Sequence, residues 1–240
     1  MRILFILTEF GLEKDINMID VVIIAQNEGK HIENMFACIP QDWHIVYVAD
    51  RCTDKTQDKL RKERLKFGDR LTTVENSKGE GRRTSDMRNL GFRFTRPKSD
   101  VLFLDGDRYV VNGSLIYLQK WHKDVALLKL EEDGRELIDD YSKVYGSVHN
   151  AFYSCGLFIK RDAIEKIRQF QCGAIFRPDM QAMWGIEDCY LGDVCYHLGL
   201  SCGFYEDCRL RGRFEKFRLD SLYAIEKRLF ERDKLNVRWD

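Results

Sequence analysis

The sequence predicts an α/β domain: a three-layer sandwich with a mostly parallel central sheet and helices on both faces. Three observations carry this. Apolar, β-branched runs such as Val21-Val22-Ile23-Ile24-Ala25 and Ile45-Val46-Tyr47-Val48-Ala49 read as strands buried on both faces. Segments of helical spacing separate them, so successive strands need crossover connections and emerge parallel. Each run also ends abruptly in polar residues, the pattern of strands whose carboxyl ends open onto a ligand site. At 240 residues and 44% hydrophobic composition, the chain has material for one such domain.

Taken in order, Val21 to Ala25 leads into the loop Gln26-Asn27-Glu28-Gly29, and His31 to Cys38 reads as a helix. The strand Ile45 to Ala49 ends in Asp50-Arg51-Cys52-Thr53-Asp54, followed by a charged amphipathic helix from Lys55 to Phe67. Leu71 to Val74 is a shorter strand and Ser85 to Phe94 a helix. Val101 to Leu104 is a strand that runs straight into Asp105-Gly106-Asp107. In the second half, Ser114 to Trp121 reads as a helix and Val125 to Leu130 as a strand. Glu131 to Asn150 has the polar, acidic composition of a loop. Ser154 to Lys160 is then a strand, with helices at Asp162 to Phe170 and Ile186 to Leu198. Helical spacing returns at Leu222, Ile225 and Leu229.

Lys+Arg and Asp+Glu both total 39, so net charge steers the chain toward neither nucleic acid nor membrane. Local runs are uneven: Lys59 to Arg64 and Arg209 to Arg218 are basic, and Glu131 to Asp140 acidic, each of which also reads as a solvated face. Eight cysteines without a CxxC pair read as reduced thiols of a cytoplasmic protein. The opening Met1 to Leu7 is too short to span a membrane and lacks a following cleavage site, so it reads as an added strand.

Two carboxylates at i and i+2 after a buried strand suit Mn²⁺ or Mg²⁺, which take one or two protein carboxylates and complete their shell with phosphate and water. Gly106 would let the backbone turn and leave room for a diphosphate. Asp-Gly is equally a common turn pair. The second constellation is Trp184-Gly185-Ile186-Glu187-Asp188, at the start of a helix. Acidic residues are favoured in a first helical turn, while a desolvated carboxylate there could act as a general base on a hydroxyl. Residue chemistry alone leaves both readings open.

The order of these segments resembles the family 2 glycosyltransferases and their relatives with the Rossmann-like GT-A fold. Val21 to Glu28 is similar to the family's first strand, and Ala49 to Thr56 to its Asp-Asp-Gly-Ser-Thr-Asp-Gly-Thr loop. Gly81 with Arg88-Asn89-Leu90-Gly91 resembles the Gly…Ala-Arg-Asn-x-Gly segment, and Phe103 to Asp107 the Leu-Asp-x-Asp motif. Cys155 to Arg161 resembles the strand before the acceptor helix, and Trp184 to Asp188 with Leu191 the Gly-x-Glu-Asp motif. The match runs from about residue 20 to 205.

The resemblance implies transfer, with inversion, of a hexose or pentose from a nucleoside-diphosphate sugar, uridine by family habit, with Mn²⁺ or Mg²⁺ as cofactor. It implies one domain over 1–240: an extension at 1–20, a donor half at 21–107, an acceptor half at 108–205 and a tail at 206–240. Asp50 would meet the nucleobase, with Asn27 and Glu28 near base and ribose. Arg88 would touch the nucleotide, and Asp105 the ribose or a metal-bound water. Asp107 would ligate the metal, Asp188 would take the acceptor proton, and Glu187 would orient acceptor hydroxyls, with Trp184 and Gly185 beside the acceptor. The sequence departs from the family at Ala49, where the loop's first Asp stands. It also lacks a metal-ligating His after His197, so water would fill that place, or Arg211 or Arg213 would stabilise the diphosphate. His149 and His197 read as ordinary polar positions.

For the acceptor, the basic stretches Lys59–Arg70, Lys78–Lys98 and Arg209–Arg218 suit a polyanion, such as a hydroxymethylated base in phage DNA, in the host cytoplasm. A small molecule or cell-surface glycan is the alternative, with the arginines clamping only the donor. A nucleotidyltransferase would want a Gly-rich phosphate loop, which Gln26 to Gly29 does not provide. A non-catalytic sugar-nucleotide binding module would tolerate loss of a carboxylate pair, and both pairs are intact.

Overall fold

β1 (Ile19–Ala25) is buried along its whole length, because both of its faces are covered. Val22 and Ile24 join the core on one side of the sheet, and Val21 and Ile23 the core on the other. The computed structural model describes residues 18–77, 84–132, 134–136, 152–177, 179 and 186–211. The expected N-terminal strand, Gly81, His149, Trp184, Gly185, Arg213, most of the acidic loop and the helical tail lie outside the described residues.

The elements that follow are α1 (Ile32–Ala37), β2 (His44–Asp50), α2 (Thr56–Phe67), β3 (Leu71–Asn76), α3 (Thr84–Phe92) and β4 (Asp100–Asp105). After these come β5 (Val110–Gly113), β6 (Val125–Glu132), β7 (Arg135–Glu136), β8 (Gly156–Ile159), α4 (Arg161–Phe170), α5 (Ile186–His197) and β9 (Cys202–Arg211). The sheet runs β3-β2-β1-β4-β8-β6-β9-β5, with β7 paired to β6. β1 pairs in parallel with β2 and β4, β2 with β3, and β6 with β9; β8, β5 and β7 run antiparallel to their neighbours. The parallel first half and three-layer plan are as the sequence predicts.

Ile32, Met35 and Phe36 of α1 and Leu60 of α2 cover one face. Phe92 of α3, Ile164 and Ile167 of α4, and Leu191 and Val194 of α5 cover the other. α3 lies especially close to the sheet. A Cβ on Gly91 would stand 2.5 Å from Val22 Cγ1 and 2.9 Å from Val48 Cγ2. At the amino ends of the strands, fully buried Asp20 accepts from Arg96 N at 2.6 Å and Arg96 Nε at 2.7 Å, tying the α3–β4 turn to β1.

Several expectations are corrected. Ser114 to Trp121 forms only a short 3₁₀ turn at Ile116–Lys120. The start of the expected acidic loop, Glu131 and Glu132, is strand, paired with Glu136 and Arg135 in the β6–β7 hairpin. β9 crosses the expected division at 205–206, so the first part of the expected tail is an inner strand between β6 and β5. β5 was not anticipated either. Among the described residues no helix is long and apolar enough to cross a membrane.

The close approach of α3 yields a test. Gly91→Ala should lower unfolding stability by about 1–3 kcal/mol through overpacking of a rigid core, read by denaturant titration. An unchanged midpoint would show that α3 can move away from β1 and β2 without cost.

Candidate active site

The carboxyl ends of β1, β2, β3 and β4 stand side by side, and the loops that leave them are built by short-range hydrogen bonding. After β1, Asn27 adopts φ 60°, a region Asn tolerates better than most residues. Its Oδ1 accepts from Thr53 N at 2.7 Å and Asp54 N at 3.2 Å, so Asn27 holds the loop after β2 in place. Asp54 in turn accepts from Gly29 N at 3.3 Å and Thr56 N at 2.9 Å, anchoring the start of α2. Glu28 lies 3.7 Å from His31. Asp50, at the end of β2, is buried and accepts from Asn76 Nδ2 at 2.7 Å and from both Nε and Nη2 of Arg51, at 3.0 and 2.9 Å.

Beyond β4, Gly106 closes against β1, donating from its N–H to Ile24 O at 2.8 Å. A Cβ there would stand 2.4 Å from Ala25 Cβ and 3.2 Å from Glu28 Cβ. The glycine is therefore required for packing onto the first strand, and the room it leaves is filled by protein, not held for a diphosphate. That packing fixes the carboxylates on either side of it.

Asp105 and Asp107 are each about one-third exposed, with side chains at 31%. Arg88 Nη2 donates to Asp105 Oδ1 at 2.8 Å, and Arg108 Nη1 stands 3.5 Å from Asp107 Oδ2. Among the described residues no three His, Cys, Asp or Glu side chains are grouped to enclose an ion. Two partly exposed carboxylates on one turn nonetheless fit Mn²⁺ or Mg²⁺, whose remaining positions go to phosphate oxygens and water. The donor set matches that requirement and is not a closed structural site.

Arg88 is 4% exposed and lies on α3, hydrogen-bonded to Asp105 and under the charge of Glu187 and Asp188 of α5. Phe176 supports the guanidinium 5.5 Å from its ring centre. The neighbouring Asn89 clamps the Phe176 segment, donating to Phe176 O at 2.6 Å and accepting from Ile175 N at 3.1 Å and Phe176 N at 3.2 Å. The Arg-Asn-Leu-Gly run of α3 thus does three jobs: charge pairing, loop anchoring and close packing.

Glu187 is buried and accepts from Thr84 Oγ1 at 3.1 Å. Burial pushes its carboxyl well above the usual range, the charge of Asp188 adds to this, and Arg88 and Thr84 oppose it. Asp188 is likewise raised by burial, against the pull of Arg88 and Ser154. The Cys155 thiol beside them is pushed up to about 12 by burial and Asp105, so it is unreactive. Among the described residues, Arg88 Nε and Glu187 Oε2 are buried in this neighbourhood without a hydrogen-bond partner. Folded proteins leave few such atoms, and ordered water or a bound ligand is the usual partner of those that remain.

Arg211 donates from Nη1 to Tyr109 Oη at 3.0 Å and stacks 5.5 Å from that ring's centre. Tyr109 lies two residues beyond Asp107, so Arg211 is brought near the carboxylate turn through β9. His197 is exposed at the far end of α5, against Phe170. Sequence reasoning missed Arg108, Thr84, Ser154 and Tyr109. Arg108 had a readable signal, an arginine directly after paired acids; the others are distant in sequence and meet the site only through the fold.

The sheet order and the helical layers are those of the GT-A fold. No protein-family model and no curated protein matches the sequence. Among solved structures, S. aureus TarS 1-349 with UDP-GlcNAc is similar with a TM-score of 0.64 and 16% identity, over 93% of this chain and 68% of that one. The mannosyltransferase PcManGT from Pyrobaculum calidifontis, solved with GDP-Man and Mn²⁺, gives 0.63 and 18% over 92% of this chain and 64% of that one. Glucosyl-3-phosphoglycerate synthase from Mycobacterium tuberculosis, solved with Mn²⁺, UDP and glucosyl-3-phosphoglycerate, gives 0.55 and 15%, over 93% and 82%. The chain spans only 60% of TarS 1-349 in a further structure of that protein.

The raised Glu187 carboxyl has a consequence for stability. Its neutral form suits the buried site, so the stability it contributes is complete at low pH and is lost as pH rises above the ordinary carboxylate range. Glu187→Gln, always neutral, should therefore stabilise the protein at about pH 8 by on the order of 1–3 kcal/mol and change little at about pH 4. A lower melting temperature for the variant at the higher pH would show that ionised Glu187 is a net stabiliser through Arg88.

Proposed function

We propose that this protein is a metal-dependent glycosyltransferase that moves a sugar from a nucleoside-diphosphate sugar to an acceptor hydroxyl with inversion. The observation that carries the reading is buried Arg88, which hydrogen-bonds Asp105 of the Asp105–Asp107 turn and lies under the charge of Glu187 and Asp188. The nucleotide-sugar and Mn²⁺ complexes of the similar structures support the donor class and the cofactor.

Asp107, with Asp105 as helper, would hold Mn²⁺ or Mg²⁺, which when bound supplies positive charge to the departing diphosphate. Asp188, whose carboxyl burial raises against the pull of Arg88 and Ser154, accepts the acceptor's O–H proton. The acceptor oxygen bonds to the anomeric carbon as the bond to the diphosphate oxygen breaks, and that oxygen keeps the electron pair. Glu187, braced by Thr84, orients the acceptor hydroxyl. Arg88 keeps Asp105 in place and limits how far the Asp188 carboxyl is raised. Asn27 and Glu28 would line the donor loop, and Arg211, held on Tyr109, would meet the diphosphate.

For the acceptor, charge pairing favours a small molecule or glycan over phage DNA. Three of the five basic residues of α2 pair with acids: Lys59 with Glu33, Arg61 with Asp58, and Lys66 with Glu63. Arg209 pairs with Glu206. A groove for a phosphate backbone would leave such cations to the phosphates.

Asp107→Ala and Asp188→Asn should each reduce transfer by about 100-fold or more, with a product of inverted anomeric configuration by NMR. Near-normal turnover in Asp188→Asn would remove it as the base. Because the base must be ionised and its carboxyl is raised, kcat should fall with decreasing pH before the ordinary carboxylate range is reached. A hydroxymethylated duplex should bind weakly; tight binding that drops by on the order of 10³ between low and physiological salt would instead establish the DNA acceptor.

A further inference from the structure

The acids of the turn after β4 are already matched in charge by arginines, which bears on how a metal reaches them. The inference rests on the donor reading above. Asp105 accepts from Arg88 Nη2 at 2.8 Å, and Asp107 Oδ2 stands 3.5 Å from Arg108 Nη1. Each acid of the turn thus has its own guanidinium. Arg88 is shared with Glu187 and Asp188, whereas the acids whose charge reaches Arg108 are Asp107 and Asp105. Cys155 beside it is a thiol pushed up to about 12 by burial, and so uncharged. Arg211 adds a third guanidinium, held by the Tyr109 hydroxyl and ring, with no carboxylate paired to it among the described residues.

Arg108 is held in its place by the fold. Its side chain is 13% exposed, and the same Nη1 donates to Arg211 O at 3.4 Å. Arg211 N in turn donates to Tyr109 O at 2.8 Å, so the end of β9 and the turn after β4 lock each other. At 3.5 Å the Arg108–Asp107 pair is an ion pair without a close hydrogen bond. The carboxylate is matched in charge, yet its oxygens keep their lone pairs for an ion.

A fixed cation this near opposes a second one, and its burial weakens the screening that water and salt would supply. Mg²⁺ and Mn²⁺ are ordinarily held by one or two carboxylates together with substrate phosphates, not by the carboxylates alone. A diphosphate reverses the balance, because its negative oxygens offset Arg108 and Arg211 and also serve as ligands. We propose that Arg108 acts as a positioning residue on Asp107, barring the divalent ion from the free protein and admitting it only together with the diphosphate. Metal and diphosphate then strengthen each other's binding by the same factor, as linkage requires. An uncharged side chain at position 108 would open the turn to the ion alone.

The test is calorimetric titration of the full chain with Mn²⁺ alone, with metal-free UDP and GDP, and with each nucleotide premixed with Mn²⁺. Mn²⁺ alone should show no saturation below about 1 mM. The better nucleotide should bind about tenfold more tightly, or more, with Mn²⁺ than without it. Arg108→Gln should move the two ligands in opposite directions: Mn²⁺ alone binds about tenfold more tightly and metal-free nucleotide about tenfold more weakly. Lost packing would weaken both, so the opposite signs separate charge from structure. Thermal melting verifies folding, and Arg108→Met, which keeps an apolar stem in the buried position, is the second neutral variant. Arg108→Lys keeps the charge and should exclude Mn²⁺ alone as the wild type does. Saturable micromolar binding of Mn²⁺ alone to the wild type would overturn the assignment. So would unchanged Mn²⁺ affinity or weakening of both ligands in the neutral variants, or uptake of Mn²⁺ alone by Arg108→Lys. If neither nucleotide binds with or without Mn²⁺, the donor reading itself fails and this inference with it.

Discussion

A guanidinium buried as deeply as that of Arg88 needs negative partners, because an unpaired charge in the interior costs several kcal/mol. Here the requirement is met by Asp105 at the end of β4 and by the charge of Glu187 and Asp188 at the start of α5. The guanidinium thus binds together the two halves of the chain at the point where the chemistry would occur. Its own position depends on α3 lying hard against the sheet, which Gly91 permits. It depends also on the Phe176 segment that Asn89 clamps beneath it. Loosening either would shift the charge that the carboxylates are arranged around.

The electrostatics of the site follow from that arrangement. Two carboxylates near the surface of β4 remain accessible to a cation, while two on α5 are withdrawn from water and pushed toward their neutral forms. On the proposed reading, the contrast separates a place for metal and phosphate from a place for proton transfer, although all four groups are the same functional type. Similar logic distinguishes Asp50, which is spent on Arg51 and Asn76, from Asp107, which stands 3.5 Å from Arg108.

Legibility in the sequence tracked burial and locality. The strands β1, β2 and β4 were readable because a strand covered on both faces must be apolar throughout, and Asp105 to Asp107 because the motif is contiguous. β9 was not readable. Its residues alternate irregularly between buried and exposed, and its pairing with β6 shifts register between Leu128 and Lys129. β5 is mostly exposed and carries little apolar signal. Ser114 to Trp121 has helical spacing but yields only a 3₁₀ turn, since tertiary context overrides propensity in short segments.

By itself, then, the chain's order of residues determined the parallel core, the helices that cover it and the two acidic motifs at element ends, because these follow from periodicity and local composition. Only the tertiary structure decided what those acids face. It brought Arg88 to them, turned Gly106 from a spacer for a ligand into a packing contact with Ala25, and committed Asp50 to Arg51. Charge pairing, desolvation and close approach act through space. Residues 17 or 103 positions apart become partners only when the sheet has brought their strands and helices together.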